Sequence, residues 1–290
     1  MKTTLLILLA IFFGLGGTAQ EKKLNIVVIG AHPDDCDLDA GGTAILYAQM
    51  GHNVMFVSLT NGDAGHFNTG GGALAKIRMA EAEEAGKRFG VKYVVLDNHD
   101  GELMPNLNVR LQVIRLIRQW NADVVIGPRP YDYHPDHRNT AIIVQDAAYL
   151  VIVPNVAPDT PPLKVNPVFL YSKDGFKKPL PFSPDIAVDI TAVNDKKFYA
   201  ITAHKSQVFE WLPWTSGSLD KVPKGDKERV EWVSKRYTQA VTAQERESLV
   251  KWYGNEKGDA VKTVETFEIC EYGKQPDDEL VRKLFPMIGK

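Results

Sequence analysis

Six side chains in two short segments have the types and spacing that hydrolytic chemistry needs. The segment IGAHPDDCDLDAGGT carries His32, Asp34 and Asp35, and the segment RPYDYHPDHR carries His134, Asp136 and His137. Zinc in a hydrolytic site takes three protein ligands of the His and carboxylate type and leaves a fourth position for water. His32, Asp35 and one of the two late histidines satisfy that count. Such an ion lowers the pKa of water to about 7, and a nearby carboxylate can accept the proton released as water attacks an amide carbonyl. Asp34 is the carboxylate free for that task. The remaining histidine would stabilise a tetrahedral oxyanion or protonate the leaving amine, with Asp136 to orient it. Taken singly, each segment reads equally well as a turn or a helix cap. The case for a site rests on their converging.

Convergence depends on the elements that carry the two segments. Short β-branched runs alternate with longer helical patterns, the signature of a parallel sheet covered by helices. The spacing predicts strands over residues 25–29, 54–60, 93–96 and 124–126, with helices over 41–51, 73–89, 107–120 and 138–150. In the doubly wound order, strands one and four are neighbours across the switch point, so the loops at their carboxyl ends face each other. Gly30 is followed by a histidine and two acids rather than by the glycines that admit a pyrophosphate, which disfavours a dinucleotide site. Prolines at 154, 158, 161, 162 and 167 mark a loop, after which residues 168–171 and 186–190 read as later strands. Residues 205–229 suggest an excursion over the surface, helix returns near 230–253, and residues 264–270 form a closing strand. The expected fold is α/β: a Rossmann-like, mostly parallel sheet flanked by helices, with an irregular C-terminal extension.

Composition bounds the rest. A chain of 290 residues with 44% hydrophobic and 24% charged residues is ordinary for a soluble globular protein. The net charge of −2 offers no basic field for a phosphate backbone, so nucleic acid is not expected as a partner. Lys2, the apolar run of residues 5–15 and the small residues of 16–19 follow the order of a signal peptide, with cleavage near Ala19 or Gln20. That run is too short for a comfortable membrane span. A single domain is expected over residues 21–290, in a secreted or periplasmic protein. Cys36 and Cys270 are the only cysteines. They neither require a disulfide nor supply the paired thiolates of a cysteine-rich zinc site.

The motifs resemble those of the PIG-L-type, or LmbE-like, zinc de-N-acetylases. The likeness covers AHPDD at 31–35, GGT at 41–43, TNGDAG at 60–65, Arg78 with Glu81, and HPDH at 134–137. It continues more loosely through AHKSQ at 203–207 and the strand around Glu265 and Phe267. The resemblance implies a mononuclear Zn2+ held by His32, Asp35 and His137, with Asp34 as general base and His134 as oxyanion stabiliser or general acid. It also implies an acetylated glucosamine-like small molecule or glycan as substrate. Arg78 matches an arginine that helps to hold the substrate, where spacing alone would favour a salt bridge to Glu81.

Where the family usually has an acid after the paired aspartates, this chain has Cys36, either a buried side chain or an additional ligand. His204 could bind substrate from the second half or be a packed helical histidine. Trp211 and Trp214 with Phe209 could form a stacking wall for a sugar, or ordinary loop packing. Asp100 with Gly101 fits a contact to substrate hydroxyls or a plain turn. His52, His66 and His99 carry no expected role. Competing functions are an amidase for a larger acyl or peptide-like group and a carbohydrate-binding protein without turnover. The intact Asp34 argues against the latter. Symmetric self-association is common among soluble proteins of this kind.

Overall fold

Strand β1 (Asn25–Gly30) is buried over residues 26–30, as the central strand of a parallel sheet must be. Its side chains alternate between two cores: Ile26 and Val28 join one cluster, Val27 and Ile29 the other. The computed structural model describes residues 22–289, and the leader expected over residues 1–20 lies outside them. After β1 the chain runs α1 (Asp35–Gln49), β2 (Asn53–Ser58), α2 (Gly71–Phe89), β3 (Lys92–Val95), α3 (Leu107–Trp120), β4 (Val124–Gly127) and α4 (Pro135–Leu150). It continues through β5 (Val168–Ser172), β6 (Ile186–Asp189), α5 (Asn194–Ile201), α6 (Leu212–Thr215), α7 (Asp226–Tyr237), α8 (Ala243–Tyr253), α9 (Asn255–Ala260), β7 (Val264–Gly273) and α10 (Asp278–Leu284).

The sheet order is β3-β2-β1-β4-β5-β7-β6. The first five strands are parallel, and β7 runs antiparallel to both β5 and β6. Strands β1 and β4 are neighbours, Ile26 opposite Val124, so the loops that follow them share one edge as the sequence predicts. Helices α1, α2 and α5 pack on one face and α3 and α4 on the other. Among the described residues no helix is long and apolar enough to cross a membrane.

Three departures from expectation have local causes. Helices α1 and α4 begin at Asp35 and Pro135, earlier than periodicity indicates, because polar residues rather than apolar ones start them. His134 Nδ1 accepts from the Asp136 amide at 3.2 Å, and Pro135 occupies the first helical position. The single helix expected over 230–253 is two, the second started by a Thr242–Glu245 capping box. The excursion after residue 205 begins as a π-helical turn, Ser206–Trp211, whose first four residues are buried, so its start belongs to the core and not to the surface.

Helix α1 is locked to the C-terminal half through its GGT segment. Glu265 on β7 accepts from the amides of Gly42 and Thr43 at 2.8 and 2.7 Å, and it pairs with Lys197 of α5 at 2.7 Å. Lys197 also donates to the Leu38 carbonyl at 2.7 Å.

Candidate active site

Both segments lie where β1 and β4 end. His32 sits in the turn after β1 and Asp35 in the first turn of α1; His134 caps α4, and Asp136 and His137 lie in its first turn. A carboxylate at a helix N-terminus is favoured by the unpaired amides and the helix dipole. Gly30 is required here for space, because a Cβ at that position would lie 2.6 Å from Asp35 Cβ.

Three donor atoms close a triangle. His32 Nδ1 is 3.2 Å from His137 Nε2 and 3.6 Å from Asp35 Oδ2, and His137 Nε2 is 3.4 Å from Asp35 Oδ2. Ligands at zinc–donor lengths of about 2.0–2.2 Å stand roughly 3.3–3.6 Å apart on a tetrahedron. The outer partners complete the fit. His32 directs Nε2 at Asp100 Oδ1 (3.1 Å) and Asp136 Oδ2 (3.3 Å), and His137 directs Nδ1 at Asp132 Oδ2 (3.1 Å). Each ring can therefore place its proton on a carboxylate and turn its free nitrogen inward, the usual support of a metal-binding histidine. Asp35 Oδ2 is fixed by the amides of Ala31 and His32, both at 2.8 Å. His32 and His137 also group with His134, and His32 with Asp100 and Asp136, closely enough to share an ion. The second grouping consists of the partners of His32 Nε2, the nitrogen facing away from His137.

The charges follow the packing. Burial alone would raise Asp35, but the charge of His137 and the bonds from His32 hold it well below the usual carboxylate range. Burial opposes a proton on His137, yet Asp35 and Asp132 push that ring up to about 9. His134 moves the other way, lowered by burial and by the positive His32 and His137. Its Nδ1 is taken as an acceptor by the Asp136 amide, so the neutral ring carries its proton on Nε2.

Asp34 caps α1 with φ of 127°, a conformation costly for any residue with a Cβ. Its amide donates to Tyr93 Oη at 3.0 Å, Tyr93 Oη donates to Asp37 Oδ2 at 2.7 Å, and Asp37 Oδ1 meets His204 Nε2 at 2.9 Å. Burial pushes the Asp34 carboxyl up to about 6, with Arg78 pulling it down and Asp35 adding to the rise.

Several expectations are corrected. Asp136 does not orient the His134 ring through its side chain: its carboxylate holds His32 and the amides of Gly101 and Leu103. His204 has no exposed surface, so it cannot touch a substrate and instead supports Asp34 through Asp37 and Tyr93. Arg78 is equally enclosed. It faces Asp34 Oδ1 at 3.4 Å, donates to the Pro33 carbonyl and meets the Gln207 amide oxygen, while Glu81 binds Ser206 instead of Arg78. Gly62, at φ 71°, lets the loop after β2 close over Arg78, to which a Cβ would lie 3.2 Å away.

Cys36 is buried against the carbonyls of Val28 and Val57, away from the donor triangle, and it joins one core cluster while Cys270 joins the other; both thiols are free. Trp211 and Trp214 do stack, at 5.3 Å, but their neighbour is Phe67, whereas Phe209 packs on Trp232. Asp100 lies at the site against His32, held by the Asp63 carboxylate. Of the supporting residues, Asp37 directly follows Cys36 and Asp132 lies two residues before His134, so both carry a local signal in the sequence, whereas Tyr93 carries none.

Residues 27–148 match the family described as GlcNAc-PI de-N-acetylase, PIG-L. The diacetylchitobiose deacetylase of Thermococcus kodakarensis is 30% identical over 203 residues, 66% of this chain and 73% of the relative. The N,N'-diacetylchitobiose deacetylase of Pyrococcus horikoshii superposes with a TM-score of 0.63 at 26% identity, covering 84% of this chain and 83% of that one. The 4-oxalmesaconate hydratase of Pseudomonas putida is 25% identical over 70% of this chain and 81% of its own. The ordered motifs, the sheet and these likenesses agree, and the chain belongs to the PIG-L family of de-N-acetylases.

Proposed function

We propose that this protein is an exported, zinc-dependent N-deacetylase acting on an N-acetylglucosamine-like unit of a glycan or glycoconjugate. The observation that carries the reading is the His32, Asp35 and His137 triangle with Asp34 beside it. Zinc held by those three residues would polarise an acyl carbonyl and ease the deprotonation of water. Asp34, buried and oriented by Tyr93 and Arg78, takes the proton as water adds to the acyl carbon. His134 presents Nε2–H to the oxyanion, and Asp34 passes the proton it took to the amine nitrogen as the C–N bond breaks, which restores the carboxylate. Asp132 and Asp136 hold the two histidine rings in place. The deacetylase relatives favour an acetylated amino sugar, and the leader over residues 1–20 favours a secreted or periplasmic location.

The hydratase relative raises a second reading, addition of water to an unsaturated acid. Such a substrate needs free cations for its carboxylates. Arg78, Arg129, Lys173 and Lys197 are each committed to an acid of the chain itself, whereas Arg138 beside His137 meets only the carbonyls of Asp132 and Tyr133, so it is the deacetylase relatives that favour the amino sugar.

Acetate release from a panel of N-acetylated sugars, measured for the zinc-loaded mature protein beside Asp34→Ala, tests the reading. Release by the native protein, with a variant that keeps zinc and loses turnover, supports it; a zinc-loaded native protein that releases nothing overturns it. Cell fractionation tests export, which fails if the mature chain is found only in the cytoplasm.

A further inference from the structure

A cavity of about 340 Å³ lies between the end of α2, the segment after α5 and the start of α7, and it shares no lining residue with the donor triangle. Lys205 and Phe209 line it, while Ser206 and Gln207 between them face inward to Glu81 and Arg78. The space is therefore on the outer side of the π-helical turn, away from the groups assigned to hydrolysis.

The charges around it do not balance. Arg88, Lys205, Lys227 and Arg229 line the space with Asp226 as the single acid, and Asp226 forms no ion pair with any of them. Just outside the lining, Glu84 bonds Arg88 Nε at 2.8 Å and feels Lys205 at longer range, while Glu228 turns back onto Gly225 at the start of α7. The ammonium groups of Lys205 and Lys227 meet no hydrogen-bond or ion-pair partner among the described residues. Aromatic rings support the two arginines: the guanidinium of Arg88 lies 4.7 Å from the centre of the Tyr199 ring, and that of Arg229 lies 4.7 Å from the centre of the Phe209 ring. Arg88 also donates to the Tyr199 carbonyl and Thr202 Oγ1 at 3.1 and 3.0 Å, and Arg229 Nε donates to the Pro223 carbonyl at 2.9 Å. Nη2 of Arg88 and both outer nitrogens of Arg229 keep no partner among the described residues.

Cations in excess of their acids, two of them held against rings, in a volume suited to a small ligand, describe an anion site. A guanidinium with free outer nitrogens can grip two oxygens of a phosphate at once, and ammonium groups add point charges from other sides. A dianion offsets that excess better than a single carboxylate does. We propose that this cavity binds a phosphate dianion, free or as the monoester of a small molecule, at a site separate from the hydrolytic one. Arg229 and Lys205, which come from opposite walls and leave their charge unpaired, would be the main contacts. Such a site needs neither zinc nor turnover.

Calorimetric titration of the zinc-loaded native protein with inorganic phosphate, glucose 6-phosphate and glucose tests the site. Arg229→Gln and Lys205→Gln are titrated beside it, with Lys164→Gln, an exposed loop lysine far along the chain, as a control of equal charge. The native protein and the control are expected to bind the phosphate group at sub-millimolar concentration and to ignore glucose. Each cavity variant should bind about tenfold more weakly, the loss of one charge-assisted contact. Lys205 makes no side-chain hydrogen bond or ion pair within the described residues, so Lys205→Gln should melt as the native protein does. Tighter binding of glucose 6-phosphate would identify the ligand as a phosphorylated small molecule, and tighter binding of inorganic phosphate as the free ion; both support the site. Native protein that binds neither at millimolar concentration would overturn it. So would variants that bind both as tightly as the native protein, which would place the anion on the zinc instead.

Discussion

His32 Nε2 lies 3.3 Å from Asp136 Oδ2, so the acid of the HPDH segment supports the histidine of the other segment rather than its own neighbour. The same carboxylate takes the amides of Gly101 and Leu103, which ties the loop after β3 to the site. Outer partners of this kind set the tautomer and basicity of a metal-binding histidine. Asp136→Asn should therefore weaken zinc binding about 10- to 100-fold, measured by chelator competition. Unchanged affinity with reduced turnover would assign Asp136 to His134 instead.

Asp34→Asn keeps the size of the side chain and its place near Arg78 while removing the base. Turnover should fall by about 10²- to 10⁴-fold with zinc retained. Tyr93→Phe removes the hydroxyl that joins the Asp34 amide to Asp37, and a smaller loss of turnover at unchanged metal content should follow. Metal analysis beside steady-state rates separates the two roles, since loss of zinc in either variant would point to collapse of the loop.

The sheet and the two clusters were legible because each has a strong local signature: β-branched runs for β1, β2 and β4, and histidines spaced among acids directly after two of them. The switch-point rule then placed the clusters together. What was not legible depends on contacts between distant segments. Nothing near Tyr93 announces that its hydroxyl ends at Asp34, and nothing in AHKSQ says that His204, Ser206 and Gln207 face inward to Asp37, Glu81 and Arg78. Arg78 carries a charge and His204 can carry one, a property that normally marks a surface or a ligand. Their burial is explained only by the acids that face them.

Glu265 and Lys197 are almost fully buried and meet at 2.7 Å, and Glu265 also holds two amides of α1. Removing one partner leaves the other as an uncompensated buried charge. Glu265→Ala should cost about 3–5 kcal/mol, read from urea unfolding. Because α1 carries Asp35 at its start, the variant should also bind zinc less tightly. Full stability in Glu265→Ala would show that the pair contributes little.

Arg118 of α3 donates to the carbonyls of Leu150, Val151, Val153, Val156, Ala157 and Thr160, and so gathers the end of α4 and the loop beyond it. A lysine cannot reproduce that planar fan of donors. Arg118→Lys should destabilise the fold by about 2–4 kcal/mol, with several carbonyls left without a protein donor. Thermal unfolding compared with the native protein checks this, and a shift of under a degree would refute it.

Asp39 titrates out of its usual range because burial and the nearby Asp35 charge push its carboxyl up to about 7, against the bond from Ser172. In the unfolded chain its pKa is about 3.9. Below pH 4 both states hold the proton and the group has no effect. Between pH 4 and 7 the unfolded state gives up its proton while the folded state keeps it, so stability falls as pH rises and levels off above pH 7. Asp39→Asn removes this dependence. The variant should gain on the order of 1 kcal/mol over the native protein at pH 8, discounted for partial exposure, and nothing at pH 4. Zinc bound beside Asp35 would offset that acid's charge, so the gain should shrink in the loaded protein. Urea unfolding of both proteins at pH 4, 6 and 8, with and without zinc, reads the effect; a gain independent of pH would mean that the Asp39 charge is not its source.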